Sequence, residues 1–152
     1  MDCNKILVPI RGAVADEEAI TLACQLAKKS KGTVYAAHII QVKRALPLDA
    51  AIESEIKRGE EILKRAELVA GGQGCMIETD LLQARDVGTA IIEEAKERGV
   101  NLVLIGLDYY RRFGEATLGD VVPYVLKNAP CRVIVCREPM AEGETQEFKG
   151  NG

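Results

Sequence analysis

The residues best equipped for chemistry cluster in one stretch, Gly106-Leu107-Asp108-Tyr109-Tyr110-Arg111-Arg112-Phe113-Gly114-Glu115-Ala116-Thr117-Leu118-Gly119-Asp120. It joins glycines, which let a ligand approach the backbone, to arginines that can hold an anion and to aromatic rings. An apolar run precedes it and a helical pattern follows. Amide N–H groups at the helix start are therefore in position to receive an anion. Gly114-x4-Gly119 echoes half of a phosphate-binding P-loop, but Asp120 stands where the lysine is required, which excludes a true P-loop. No G-x-G-x-x-G follows the first apolar run, which excludes the dinucleotide fingerprint. Arg11 and Gly12 follow that first run instead. The single histidine, His38, rules out any mechanism that needs two imidazoles, and its place late in a strand reads as a hydrogen-bonded structural residue. Cys3, Cys24, Cys75, Cys131 and Cys136 are odd in number and contain no C-x-x-C, so they read as buried reduced thiols rather than a disulfide framework or a zinc site. The sequence offers no metal-ligand cluster, nucleophile–base pair or catalytic lysine motif, and nothing in it supports catalysis directly.

Short apolar runs alternating with longer helical patterns must position these residues. Lys5 to Ile10 is a compact β-branched run, and Asp16-Glu17-Glu18 opens a helix whose first-turn carboxylates suit the helix dipole. Ala19, Ala23, Leu26 and Ala27 form its apolar stripe. Thr33 to Ile40 is a second strand, and from about Asp49 to Ala70 an amphipathic helix carries Ile52, Ile56, Leu63, Ala66 and Ala70 before Gly71-Gly72-Gln73-Gly74 stops it. On that helix Glu53, Glu55, Lys57 and Arg58 read as a solvated face. A third strand covers about Cys75 to Leu82, and Asp86 caps a helix that ends at Gly99. Asn101 to Gly106 is apolar enough for a central parallel strand. Gly119 and Asp120 start the last helix, with Pro123 in its first turn, and Cys131 to Arg137 is the closing strand. The order β-α-β-α-β-α-β-α-β with right-handed crossovers predicts an α/β, doubly wound five-stranded parallel sheet with helices on both faces.

At 152 residues the chain has the size of one domain, and 47% hydrophobic residues suffice for a core. Lys plus Arg number 20 against 23 Asp plus Glu, and aromatics are 4% with no Trp. Neither a basic excess nor base-stacking platforms are present, so no nucleic-acid partner is expected. No apolar stretch approaches the roughly 20 residues that cross a bilayer, and no signal peptide precedes the first strand, so no membrane insertion and a cytoplasmic location are expected. Residues 138–152 differ in kind, with four glutamates, one lysine and few apolar groups, and read as a disordered acidic tail on a domain of residues 1–137. That leaves 19 charges of each sign in the domain.

Among doubly wound families, a phosphoacceptor receiver domain needs acidic residues after the first strand, where this chain has Arg11 and Gly12. A flavodoxin needs a Ser/Thr-rich phosphate loop there, and Gly12-Ala13-Val14-Ala15 is not one. The universal stress protein family fits. Lys5-Ile6-Leu7-Val8-Pro9-Ile10 with the acidic helix start resembles its first strand and helix, and Leu102 to Gly106 its fourth strand. Leu118-Gly119-Asp120 through Asn128-Ala129-Pro130-Cys131-Arg132-Val133-Ile134-Val135 resembles its closing helix and strand, the most specific part of a likeness that spans about residues 4 to 137.

The resemblance implies an adenine nucleotide alpha hydrolase-like sheet in the order 3-2-1-4-5 and a nucleotide cleft touched by Pro9, Arg11, Gly106, Tyr109, Gly119 and Asp120. Nucleotide-binding members carry G-x2-G-x9-G followed by Ser or Thr. Gly106 and Gly119 match the outer glycines, whereas Tyr109 replaces the middle one and Asp120 the hydroxyl. Arg11 stands where members commonly have an aspartate that contacts the nucleoside. These changes predict a cleft plugged from within: Asp120 as N-cap, Tyr109 filling space, and Arg11 paired with Asp108 or Asp120. No cofactor is then expected, and ATP binding is weakened or lost. The competing reading keeps ATP, with slow hydrolysis, at an altered anion site made by Arg11, Arg111 and Arg112. The family also implies a homodimer through the edge strand near Arg132–Cys136, which is long and apolar for an uncovered edge. Tyr109, Tyr110 and Phe113 are candidates for a regulatory partner surface.

Overall fold

A computed structural model describes residues 3–50, 52–108, 111–112, 115–116 and 120–139. The elements run β1 (Lys5–Pro9), α1 (Ala15–Lys29), β2 (Thr33–Gln41), α2 (Glu53–Gly72), β3 (Ile77–Ala84), α3 (Val87–Arg98), β4 (Leu102–Leu107), β5 (Arg111–Arg112), β6 (Glu115–Ala116), α4 (Val121–Asn128) and β7 (Arg132–Arg137). Five strands form one parallel sheet in the order β3-β2-β1-β4-β7, the expected arrangement with β7 as the closing strand. The small antiparallel pair β5–β6 lies inside the loop after β4 and was not anticipated.

Side-chain alternation along the strands divides the core in two. Ile6 and Val8 of β1, with Ile10 just after it, meet α1 and α2 through Ala19, Ala23, Leu63 and Ala66. Leu7, with Tyr35, Ala37 and Ile39 of β2, meets Ile91, Ala95, Val122 and Val125 of α3 and α4. Central β4 is buried on both faces, as its unbroken apolar run requires. The cysteines are all free; Cys3 and Cys24 are buried, and the other three are only partly so. Among the described residues no helix is long and apolar enough to cross a membrane.

Some boundaries shift. The second helix begins at Glu53 rather than near Asp49, because a turn closed by Ala50 N–H donating to the Pro47 carbonyl (3.0 Å) occupies that stretch, and Ile52 is exposed. It also runs through Gly71 and Gly72, and the reversal falls on Gly74 at φ +64°. The third strand accordingly begins at Ile77, not Cys75. By contrast α3 starts and stops as read. Asp86 Oδ2 accepts from the Thr89 amide at 3.1 Å, and Gly99 closes the helix in the left-handed region at φ 62°.

Candidate functional site

A cleft of about 440 Å³ opens at the carboxyl ends of β1, β2 and β4, where strand order reverses between β1 and β4. Its walls are largely apolar, with Ile39, Ile91, Ile105 and Val122 prominent, and its polar groups are Arg11, Asp108 and Asp120. Of the six residues expected there, Pro9, Arg11 and Asp120 line it. Gly106 enters through its carbonyl, which accepts from Arg11 Nη1 at 3.3 Å. Tyr109 and Gly119 lie outside the described residues, as do Tyr110, Phe113 and residues 140–152 of the tail.

Arg11 pairs with Asp108, not Asp120: its Nη2 lies 3.6 Å from Asp108 Oδ2. Asp108 also accepts the Ala15 amide through Oδ1 at 2.7 Å, so one carboxylate joins the end of β4, the loop after β1 and the first residue of α1. With side chains 50% and 29% exposed, this is a screened pair worth at most about 1 kcal/mol. Its value is positional, since it aims the guanidinium across the mouth of the cleft.

The expected capping by Asp120 does not occur. It occupies the N-cap position of α4 but makes no side-chain hydrogen bond to the helix. Its backbone already has helical dihedrals (φ −92°, ψ −22°), whereas a capping side chain needs the extended backbone that Asp86 has (φ −133°, ψ 123°). Asp120 instead lines the cleft as an exposed residue.

Two further residues have roles that sequence patterning hid. Gly106 is required by packing, because a Cβ there would lie 2.5 Å from the Ala15 carbonyl oxygen. Asp16 resembles an ordinary first-turn carboxylate, yet its Oδ2 turns back and accepts the amides of Arg11 (3.1 Å), Gly12 (2.7 Å) and Ala13 (3.0 Å). Burial raises its pKa while these bonds oppose the rise. Gly12, at φ 87°, permits the loop to curl around that oxygen. A second hollow, about 330 Å³, lies on the other face of the same loop between α1 and α2, lined by Gly12, Asp16, Arg58 and Ile62 among others.

His38 is structural, as read. Its Nδ1 donates to the Ile10 carbonyl at 2.9 Å, and it packs under Gly59 of α2. Beyond Arg58, which donates to the Arg11 carbonyl at 3.4 Å, the solvated face of α2 is exposed as expected.

A five-stranded parallel sheet with helices on both faces and an apolar cleft at its switch point defines the doubly wound α/β class of folds. Residues 3–137 match the Universal stress protein family, and the chain belongs to that family. It is 31% identical over 145 residues to a universal stress protein of Methanocaldococcus jannaschii, spanning 91% of this chain and 85% of that one. In structure it is similar to the universal stress protein of Archaeoglobus fulgidus in complex with dAMP, with a TM-score of 0.70 and 21% identity over 86% of this chain and 95% of that one. A universal stress protein family member from Arabidopsis thaliana with AMP bound gives a TM-score of 0.65 at 14% identity, covering 91% and 94%.

Proposed function

We propose that this chain is a non-catalytic regulatory binding module of the universal stress type, cytoplasmic and homodimeric, in which ATP binding is weakened or lost. The observation that carries the proposal is the Arg11–Asp108 pair at the mouth of the cleft. It engages the guanidinium within the protein, and with Asp120 also lining the cleft the polar end holds two carboxylates against one cation, where a triphosphate would bring its own negative charge. No hydroxyl stands at position 120 to receive a phosphate oxygen. Equilibrium dialysis with ATP tests this: negligible binding at micromolar concentration is expected, and micromolar affinity would overturn it. The triple variant Arg11→Asp, Tyr109→Gly, Asp120→Ser should gain affinity if these three positions are the cause.

One observation favours a second reading. Arg11 is half-exposed, and the apolar walls would suit a nucleoside such as that of the AMP and dAMP held by the two similar structures. Arg11, with Arg111 and Arg112, would then serve a modified anion site for ATP. Arg11→Ala separates the readings: it lowers nucleotide affinity under the second and leaves it unchanged or higher under the first.

The homodimer would form through β7, which lies at the sheet edge with Val133 to Cys136 only half-buried. Light scattering should give twice the monomer mass; a monomer at tens of micromolar would count against it. A regulatory protein partner would find its surface in the aromatic segment Tyr109, Tyr110 and Phe113.

A further inference from the structure

Three ionisable side chains meet where α3 passes over the edge strand β3. Asp80 is in register with Ala37, which belongs to the core beneath α3. Arg98 Nη2 lies 2.5 Å from Asp80 Oδ2, and Arg98 Nε lies 3.7 Å from Glu94 Oε2. The guanidinium sits 4.9 Å from the centre of the Tyr35 ring on β2, which fixes it from the sheet side. One cation thus serves two carboxylates. The Glu94 side chain is only 7% exposed, and its Oε2 is buried without a hydrogen-bond partner. The charge does not balance: two anions share one cation, and although Asp80 and Arg98 keep 24% and 31% exposure, Glu94 is nearly enclosed, so a single proton on the Glu94 carboxyl removes the excess where water cannot offset it.

We propose that the Asp80–Glu94–Arg98 cluster is a proton-binding site that fastens α3 over the sheet and passes ambient pH to the wall of the cleft. Glu94 lies one turn beyond Ile91, and Val87 and Ile91 line the cleft. Loss of that proton sets Glu94 against Asp80, and the helix must shift to admit water to the freed carboxylate. Glu97 on α3 and Glu78 on β3 are the other charged neighbours; both are negative, and Arg98 is the single cation facing the pair among the described residues. Burial pushes Glu94 up to about 7, with the bond to Asp80 adding to the rise. Asp80 moves the opposite way, held below the ordinary carboxylate range by the hydrogen bond from Glu94 and then by Arg98. The sign for stability follows. The unfolded chain ionises Glu94 near 4.5 while the folded one keeps the proton to about 7. The stabilisation is full below the lower value and is lost as pH rises through the higher one.

This regulation rests on the cleft being the binding site, but its test uses no nucleotide, so the two can fail separately. Carbon-detected NMR would follow the Glu94 carboxyl and the Ile91 methyl from pH 4 to 8.5. A Glu94 midpoint near neutrality is expected, with the Ile91 signal moving in step. Glu94→Gln should abolish the Ile91 inflection and flatten the decline of thermal midpoint across that range. Asp80→Asn should move the Glu94 midpoint down towards 4.5. A wild-type Glu94 that ionises near 4.5, an Ile91 signal indifferent to Glu94, or an inflection that persists in Glu94→Gln would each overturn the proposal.

Discussion

Gly106 shows how one residue can satisfy a motif for a reason the motif does not state. It matches the first glycine of the family's nucleotide pattern, yet the nearest demand on it comes from the Ala15 carbonyl oxygen, 2.5 Å from where a Cβ would stand. Backbone cannot yield as a flexible side chain can, so Gly106→Ala forces β4 and α1 apart. A loss on the order of 1–3 kcal/mol is expected from this overpacking, read as a lower urea midpoint with an unchanged slope. The loss should appear without any nucleotide present, which separates it from a binding defect. Asp16 and Asp120 carry the complementary lesson. Both were legible as acidic residues at helix starts, but which one bonds to backbone amides depends on dihedral angles and loop curvature that no spacing encodes.

At the scale of elements, two glycines in open space separate conformation from crowding. Neither Gly71 nor Gly99 has any atom within 4 Å of a would-be Cβ. Gly71 is exposed within α2, so Gly71→Ala should stabilise by about 0.5–1 kcal/mol through helix propensity. Gly99 holds φ 62°, so Gly99→Ala should destabilise by a similar amount, about 1 kcal/mol. Thermal melts of the two variants should move in opposite directions. The same pair explains which boundaries the sequence disclosed. Asp86 and Gly99 bracket α3 with a side-chain cap and a left-handed stop, both local chemistry. The end of α2 was misplaced because Gly71 and Gly72 read as stoppers, while Ala70 stays buried and the chain reverses only at Gly74. The β5–β6 pair was missed for want of length, since two residues per strand carry no periodicity.

For the whole molecule, the doubly wound sheet was legible because alternating runs and patterns admit few right-handed topologies, whereas its strand order followed from the family resemblance, and the Ala129-Pro130 break marks the last return to the sheet. The Asp80–Glu94–Arg98 cluster was not legible, because it needs the register of β3 against β2 and the placement of α3 above both. Among the described residues, neither core cluster takes a member beyond Val135 and Cys136. Ending the chain after Pro139 should therefore leave the thermal midpoint unchanged, while the net charge becomes less negative by two. A clear drop on calorimetry would mean that the removed residues pack.

The loop after β1 stands between two rooms like a party wall. Arg11 faces the cleft, whereas Gly12 and Asp16 face the hollow between α1 and α2, and hydrogen bonds from three amides to a single carboxylate oxygen brace the partition. A knock on one side should be heard on the other. The Gly12 amide, which never touches the cleft's contents, becomes a listening post for whatever moves Arg11.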